Sequence, residues 1–394
     1  MKDINQFDFS QQTTLIRVDF NVPLDKDFKV TDDTRIQAAL PTIKKASENG
    51  AVILMSHLGR PKNHEEKYSL KHILPKLEEL LGKPVQFAAD CIGEETKQKA
   101  KNLQPGEVLL LENLRYHPEE KKGDKHFAEK LSRLANVYIN DAFGTAHRAH
   151  ASTAIIADFF PENKMFGYLI QKEIEELQKI SDNPERPFTA ILGGAKISTK
   201  ISVIEKLLDK VDHLLIGGAM TYTFIKAQGG KIGNSLAEDD YLDTALKICK
   251  LAKEKGVELH FPVDSLNADK LSPEAQVSFS KINETPDGKM GLDIGPKTIK
   301  IFEEIIKKSK TVLWNGPLGV FEIQQFAEGT LSIAKILAEA TQNGAYTLIG
   351  GGDSVAALKS FDLEKQVSYV STGGGAMLEF LEGKDLPGIA AVKK

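Results

Sequence analysis

Tyr346-Thr-Leu-Ile-Gly-Gly-Gly-Asp-Ser-Val-Ala-Ala-Leu358 runs from an apolar segment, through three glycines, into a second apolar segment with helical character. Tyr346–Ile349 reads as a strand buried on both faces, and Val355–Leu358 as the opening of a helix. Gly350, Gly351 and Gly352 allow a ligand to approach the backbone closely. The unpaired amides and the dipole at the helix start favour phosphate. Asp353 has two readings. It caps the helix, or it stands beside a polyphosphate and is held there by a bridging Mg²⁺ ion. With Ser354 it closes the phrase. A tight turn and a capped helix explain the same residues without a ligand.

The pattern recurs along the chain. Apolar runs predict strands at Thr14–Val18, Ala51–Met55, Val108–Leu111, Val137–Ile139, Phe188–Leu192, His213–Ile216, Val257–Phe261, Thr311–Trp314, Tyr346–Ile349 and Val367–Val370. Amphipathic segments such as Leu70–Leu81 and Leu331–Ala340 lie between them. Alternation of this kind predicts an α/β fold of doubly wound parallel sheets covered on both faces. Ligands bind such sheets beyond the carboxyl ends of the strands, which is where the polar and glycine-rich phrases fall.

Those phrases divide by chemistry. In the first half they carry arginine: Arg17-Val-Asp19-Phe-Asn21, Ser56-His57-Leu-Gly-Arg60, Asn113-Leu-Arg115-Tyr-His117 and Gly144-Thr-Ala-His147-Arg148. All seven arginines of the chain lie at or before position 186. Planar guanidinium forks, with Arg35 among them, suit a small rigid anion. Arg17, two residues from Asp19, reads as a structural ion pair. His147 and His150 have no cysteine or carboxylate at ligand spacing, so a metal is not expected there. In the second half the phrases carry glycine and lysine. Gly193-Gly-Ala-Lys196-Ile-Ser-Thr-Lys200 places Lys196 and Lys200 one turn apart if a helix begins near Ala195, an unfavourable arrangement against the dipole unless phosphates lie between them. Gly217-Gly218 makes an adenine or ribose wall, or a tight turn. Trp314-Asn-Gly-Pro-Leu-Gly-Val-Phe-Glu322 presents a carboxylate for a nucleoside, with Trp314 itself expected in the core. Two substrates are implied, one per half.

A chain of 394 residues exceeds what one core organises. The helical spacing of Ile170, Ile174, Leu177 and Ile180, with Glu175 and Lys179 at ion-pair spacing, marks Tyr168–Ser181 as a joining helix. The composition is 41% apolar and 27% charged, with a net charge of −4, so neither nucleic acid nor an anionic membrane is an expected partner. The absence of a long apolar stretch or a signal-peptide core predicts a cytoplasmic protein. Cys91 and Cys249 fit no ligand motif and are expected buried and unpaired. The P-loop, the GxGxxG fingerprint, the protein-kinase signature set, the GxSxG elbow and HExxH are all missing.

Leu15-Ile-Arg-Val-Asp-Phe-Asn-Val-Pro23, Met55–Pro61, Asn140–His150, Leu192–Lys196, Trp314–Glu322, Gly350–Ser354 and Ser371-Thr-Gly-Gly-Gly375 together resemble, in this order, the phosphoglycerate kinases. The resemblance implies two Rossmann-like lobes, 1–168 for 3-phosphoglycerate and 183–376 for the nucleotide. A helix over 169–182 joins them, and 377–394 returns to the first lobe. It implies a phosphoglycerate site of Asp19, Asn21, Arg35, His57, Leu58, Gly59, Arg60, Arg115 and Arg148. The ATP or ADP site would use Gly193, Gly194, Lys200, Gly217, Gly218, Asn315, Glu322 and Gly350–Ser354, with Asp353 on Mg²⁺. The moving phosphoryl group would be stabilised by Arg35, Lys196 and the amides of Gly351 and Gly352 as a hinge near Ser371–Gly375 closes. Thr199 and Met377 depart from the family pattern, where an acidic and a small polar residue are usual. A monomer is expected. A non-catalytic phosphometabolite sensor of the same fold is the alternative, and a dinucleotide-dependent dehydrogenase lacks its fingerprint here.

Overall fold

The structure is a computed structural model and describes residues 2–394. It divides into two compact units, Met1–Glu175 with Lys384–Lys394, and Glu176–Gly383. The division falls inside the helix Tyr168–Ser181. Among the described residues no helix is long and apolar enough to cross a membrane.

The first unit is built on β1 (Thr13–Val18), β2 (Ala51–Met55), β3 (Gln86–Ala88), β4 (Val108–Leu111), β5 (Val137–Asp141) and β6 (Lys164–Phe166). These pair in parallel in the order β3-β4-β2-β1-β5-β6. Every residue of β2, β4 and β5 is buried, as a sheet covered on both faces requires. The helix Thr34–Ala46 covers one face through Ile36, Ala39, Ile43 and Ala46. The segment Leu70–Leu81 is not one helix. Leu70–Ile73 forms a 3-10 turn and the α-helix runs Leu74–Leu81. Pro75, at the first positions of that helix, lacks the amide that an earlier start would need.

The second unit contains β7 (Phe188–Leu192), β8 (His213–Ile216), β9 (Lys231–Ile232), β10 (Glu258–His260), β11 (Asp264–Ala268), β12 (Val277–Lys281), β13 (Glu284–Thr285), β14 (Met290–Ile294), β15 (Thr311–Asn315), β16 (Tyr346–Gly350) and β17 (Tyr369–Val370). The main sheet is again parallel, in the order β10-β8-β7-β15-β16-β17. Its core gathers Ile191, Leu215, Phe302, Ile333 and Leu337 around Trp314, which is fully buried. The indole nitrogen donates to the Gly316 carbonyl at 2.8 Å. Between β10 and β15 the chain inserts an antiparallel sheet, β12-β11-β14.

Three expectations need correction. The segment grouped with the first unit begins at Lys384, not Met377. Met377 is buried against Gly350, where an added Cβ would lie 2.1 Å from its sulfur. The tail proper is held by Asn140, whose Nδ2 donates to the Gly388 carbonyl at 3.0 Å, and by the Gly388 amide on the Ala146 carbonyl at 2.8 Å. Lys179 pairs with Glu176 at 2.8 Å rather than with Glu175, because the Glu176 carboxylate is already fixed by the Tyr346 hydroxyl at 2.6 Å. Both cysteines are unpaired, but only Cys91 is buried.

Candidate functional sites

In the first unit the four adjacent strands β4, β2, β1 and β5 end side by side. Asp19, His57, Arg115 and Arg148 follow those ends in the chain. Arg35 enters from the start of the helix Thr34–Ala46 and donates to the Asn21 carbonyl at 2.9 Å. It also pairs with Asp19 at 3.3 Å. The Asn21 side chain accepts the Gly59 amide at 2.8 Å, and Arg115 donates to the Gly59 carbonyl at 2.6 Å. The loops after β1, β2 and β4 are thereby tied to one another. Arg60 and Arg148 are exposed. The Leu58 side chain lies in the core instead, and its carbonyl accepts from Asn113 at 2.8 Å.

Arg17 is structural, as expected, but its partner is not Asp19. Its fully buried guanidinium donates to Ser152 Oγ at 3.0 Å and to the Val18 carbonyl, and meets His57 Nδ1 at 3.0 Å. Asp19 lies past the end of β1, so the strand rule that puts i and i+2 on one face no longer holds. A guanidinium only donates, so His57 Nδ1 accepts and Nε2 carries the proton. Burial pushes the His57 pKa well below its usual value, and Arg17, Arg115 and Arg35 lower it further. Burial and Arg17 likewise bring Arg115 down to about 10. His150 falls to about 4 through burial, Arg17, Arg115 and Arg148. The site holds more positive charge than its own carboxylates balance, and an anion would relieve that repulsion.

Glu120 and Ser152 escaped the reading of the sequence. Ser152 Oγ donates to Glu120 Oε1 at 2.6 Å, and this pair backs Arg17. The two residues are far apart in the chain and share no motif, so only the folded structure couples them.

In the second unit the four adjacent strands β8, β7, β15 and β16 end in glycine-rich turns. A cavity of about 490 Å³ opens there, lined by Gly194, Gly218, Glu322 and Asp353 and walled by Tyr222 and Leu292. The apolar wall comes partly from the antiparallel insertion and carries no motif. Gly193, Gly217, Lys200, Asn315, Ser354 and Gly350–Gly352 do not line this cavity. The Gly193 amide donates to the Asn315 carbonyl at 2.9 Å, and Asn315 Nδ2 donates to the Gly350 carbonyl at 2.8 Å. The buried Ser354 hydroxyl accepts the Gly316 amide at 2.6 Å.

Two local readings change. Lys196 and Lys200 do not share a helical turn. Lys196 has extended backbone, Ile197–Thr199 is a 3-10 turn, and the α-helix starts at Ile201. Lys196 is exposed, whereas Lys200 is tucked against Asn315 Oδ1. Burial lowers the Lys200 pKa to about 8 despite the opposing charge of Asp353. Thr199 accordingly serves the backbone, its hydroxyl donating to the Lys196 carbonyl at 3.0 Å. Nor is Asp353 the helix cap. Gly351 holds that position with φ +95°, a left-handed conformation that glycine adopts without strain. Asp353 sits exposed in the first turn of the helix Gly352–Ser360.

A family model described as phosphoglycerate kinase matches residues 4–384. The chain belongs to the phosphoglycerate kinase family. It is 52% identical over 415 residues to the phosphoglycerate kinase of Porphyromonas gingivalis, covering 99% of each chain. It is 53% identical to the cytosolic phosphoglycerate kinase 3 of Arabidopsis thaliana, over 99% of this chain and 97% of that one. The solved phosphoglycerate kinase structure from Coxiella burnetii superposes with a TM-score of 0.87 at 41% identity, covering 99% of this chain and 98% of the other. Membership in the phosphoglycerate kinases thus extends over both units, including the glycine turns and the arginine cluster.

Proposed function

We propose that the two constellations divide the substrates of one reaction. That reaction is the reversible transfer of a phosphoryl group between ATP and the carboxylate of 3-phosphoglycerate, giving ADP and 1,3-bisphosphoglycerate in glycolysis. The arginine cluster takes the phosphoglycerate and the glycine-lined cavity takes the nucleotide. The observation that carries this division is the excess positive charge around His57, Arg115 and His150, set at the carboxyl edge of the first sheet. Arg60, Arg115 and Arg148 would grip the substrate phosphate, with His57 Nε2–H as a neutral donor. Replacing Arg115 by alanine should weaken 3-phosphoglycerate binding by about 1.5–3 kcal/mol, the worth of a charged hydrogen bond, and leave ADP affinity unchanged. Calorimetric titration of each ligand checks this, and an equal loss for both would contradict the division.

The attacking carboxylate is already ionised at neutral pH, so no general base is needed. The chain's task is to place two polyanions in line and offset charge on the moving group. Arg35 and Lys196 supply that charge, together with the first amides of the helix Gly352–Ser360, which have no intrahelical acceptor. Asp353 offers the carboxylate oxygens that Mg²⁺ prefers and lines the cavity. Mg²⁺, when bound, neutralises part of the nucleotide's phosphate charge, and Asp353 would hold it. Asp353→Ala should raise the Mg²⁺ concentration needed for half-maximal activity; an unchanged requirement removes Asp353 from that role.

Lys200 gives a pH test. It is charged below about pH 8 and loses its proton above it. A phosphate bound beside it should therefore be held more weakly as pH rises through 8, by up to about tenfold per unit. ADP affinity measured from pH 6.5 to 9.5 should bend near 8 in the wild type and not in Lys200→Met. A bend that survives this substitution belongs to another group. A cytoplasmic, monomeric protein fits this reading, in keeping with the cytosolic relative. Arg35, Lys196 and Asp353 are all present, which favours an enzyme over a sensor.

A further inference from the structure

His213, Glu258 and His260 form a second polar constellation, and none of them lines the nucleotide cavity. His213 opens β8 and Glu258 opens β10, and the two are register partners in a parallel pair. His260 is two residues beyond Glu258, so all three side chains emerge on one face of the sheet. β10 is the edge strand.

His260 Nε2 lies 3.3 Å from His213 Nδ1. Glu258 Oε2 lies 3.5 Å from His213 Nδ1 and 3.6 Å from His260 Nε2. These are the edges of one nearly equilateral face. A tetrahedral ion with bonds of about 2.0–2.1 Å requires ligand separations of about 3.3–3.4 Å. An octahedral ion at the same bond length requires about 2.8–3.0 Å. The observed triangle fits the first and is too wide for the second. Imidazole with carboxylate is a donor set for zinc-like cations, not for magnesium or calcium. The two imidazoles are largely buried, while the glutamate is 68% exposed, so the open fourth position faces water. We propose that His213, Glu258 and His260 form a tetrahedral site for a zinc-class divalent cation that clips the edge strand β10 to β8.

The other mixed cluster, Asp90, Cys91 and His117, is closed upon itself. His117 Nε2 meets Asp90 Oδ1 at a hydrogen-bonding 2.7 Å, and the buried Cys91 thiol donates to the Glu112 carbonyl at 3.0 Å. Its thiol is held well above its usual pKa by burial and three carboxylates. Cys91 is therefore the control.

The test uses the full-length chain without a histidine tag, stripped with a chelator and free of nucleotide. Zn²⁺ is titrated calorimetrically, and Co²⁺ is used as an optical probe. One equivalent should bind, with the intense visible bands of tetrahedral cobalt and no sulfur charge-transfer band. Unfolding should move to higher temperature with added Zn²⁺, because the cation binds only the folded pair of strands. His213→Ala and His260→Ala should each cost at least the about 10–100-fold that loss of an outer-shell partner costs, and should abolish the thermal shift. Cys91→Ser should change neither. Should a histidine variant fold poorly, Glu258→Gln, at an exposed position, provides the same comparison. Zn²⁺ binding that persists in all three variants, binding lost in Cys91→Ser, or no binding at all would overturn the site.

Discussion

With Arg35 replaced by alanine, turnover should fall by about 10²–10³-fold while the affinity for 3-phosphoglycerate changes far less. The reasoning starts from placement. Arg35 stands at the opening of the helix Thr34–Ala46, with its side chain 36% exposed and held by Asp19 and the Asn21 carbonyl. Asp19 is buried, so losing Arg35 takes a partner from a buried carboxylate and should cost about 1–3 kcal/mol of stability, which still leaves a folded protein. In the proposed site Arg60, Arg115 and Arg148 would grip the substrate phosphate, so losing Arg35 should weaken binding comparatively little. Its charge matters most when the carboxylate is attacking phosphorus, and an interaction made only in the transition state is lost from kcat rather than from affinity. Lys196→Ala should behave alike from the second unit, since Lys196 is exposed on extended backbone beside the glycine turn. Steady-state rates paired with direct binding of each ligand decide the matter. A wild-type kcat in Lys196→Ala would remove that residue as the phosphoryl stabiliser, and a pure affinity loss in Arg35→Ala would reassign it to substrate binding.

Gly193→Ala should be strongly damaging to the second unit. A Cβ there would lie 2.1 Å from the Pro317 carbonyl oxygen and 2.5 Å from that of Gly316. Both obstacles are backbone, so no side chain can swing aside. The turn after β7 would have to part from the loop after β15, breaking the Gly193 amide to Asn315 and the Gly194 amide to Pro317 contacts at 2.9 and 3.0 Å. Overpacking of this kind costs about 1–3 kcal/mol, and the displaced turn also carries the cavity lining. We expect a lower unfolding midpoint and loss of most ADP affinity. Gly352→Ala is the comparison. An added Cβ there meets nothing within 4 Å, so stability should hold. If Gly352 acts through its amide alone, activity should hold too. Denaturation curves and ADP titration on both variants separate the two glycines, and equal tolerance would mean that the turn after β7 is not packed as described.

The apolar runs made the fold legible because a strand buried on both faces must be apolar throughout. All ten expected runs coincide with strands, including β1, β7 and β16. β3 and β6 were missed because Gln86-Phe-Ala and Lys164-Met-Phe are too short and too polar at their starts to stand out. The antiparallel insertion was missed for a different reason. Val277-Ser-Phe-Ser-Lys alternates between exposed and half-buried residues, and its neighbour Asp264-Ser-Leu-Asn-Ala is buried despite its polar side chains. Asn267 holds that strand through Ser280 at 2.9 Å, a partner the sequence does not reveal. Among candidate site residues, those on strand-end motifs were legible. Roles that depend on local backbone were not. A helix start near Ala195 gives way to an extended Lys196, and the cap, one of the two readings of Asp353, belongs to Gly351. The support of Arg17 by Ser152 and Glu120 depends wholly on long-range packing.

A phosphoglycerate kinase moves a phosphoryl group from ATP to the carboxylate of 3-phosphoglycerate. The product is an acyl phosphate, which hydroxylamine converts to a stable hydroxamate. The purified chain should yield hydroxamate only when ATP, Mg²⁺ and 3-phosphoglycerate are all supplied, and omission of any one should leave none. Folded protein that binds both ligands and forms no hydroxamate would contradict the account.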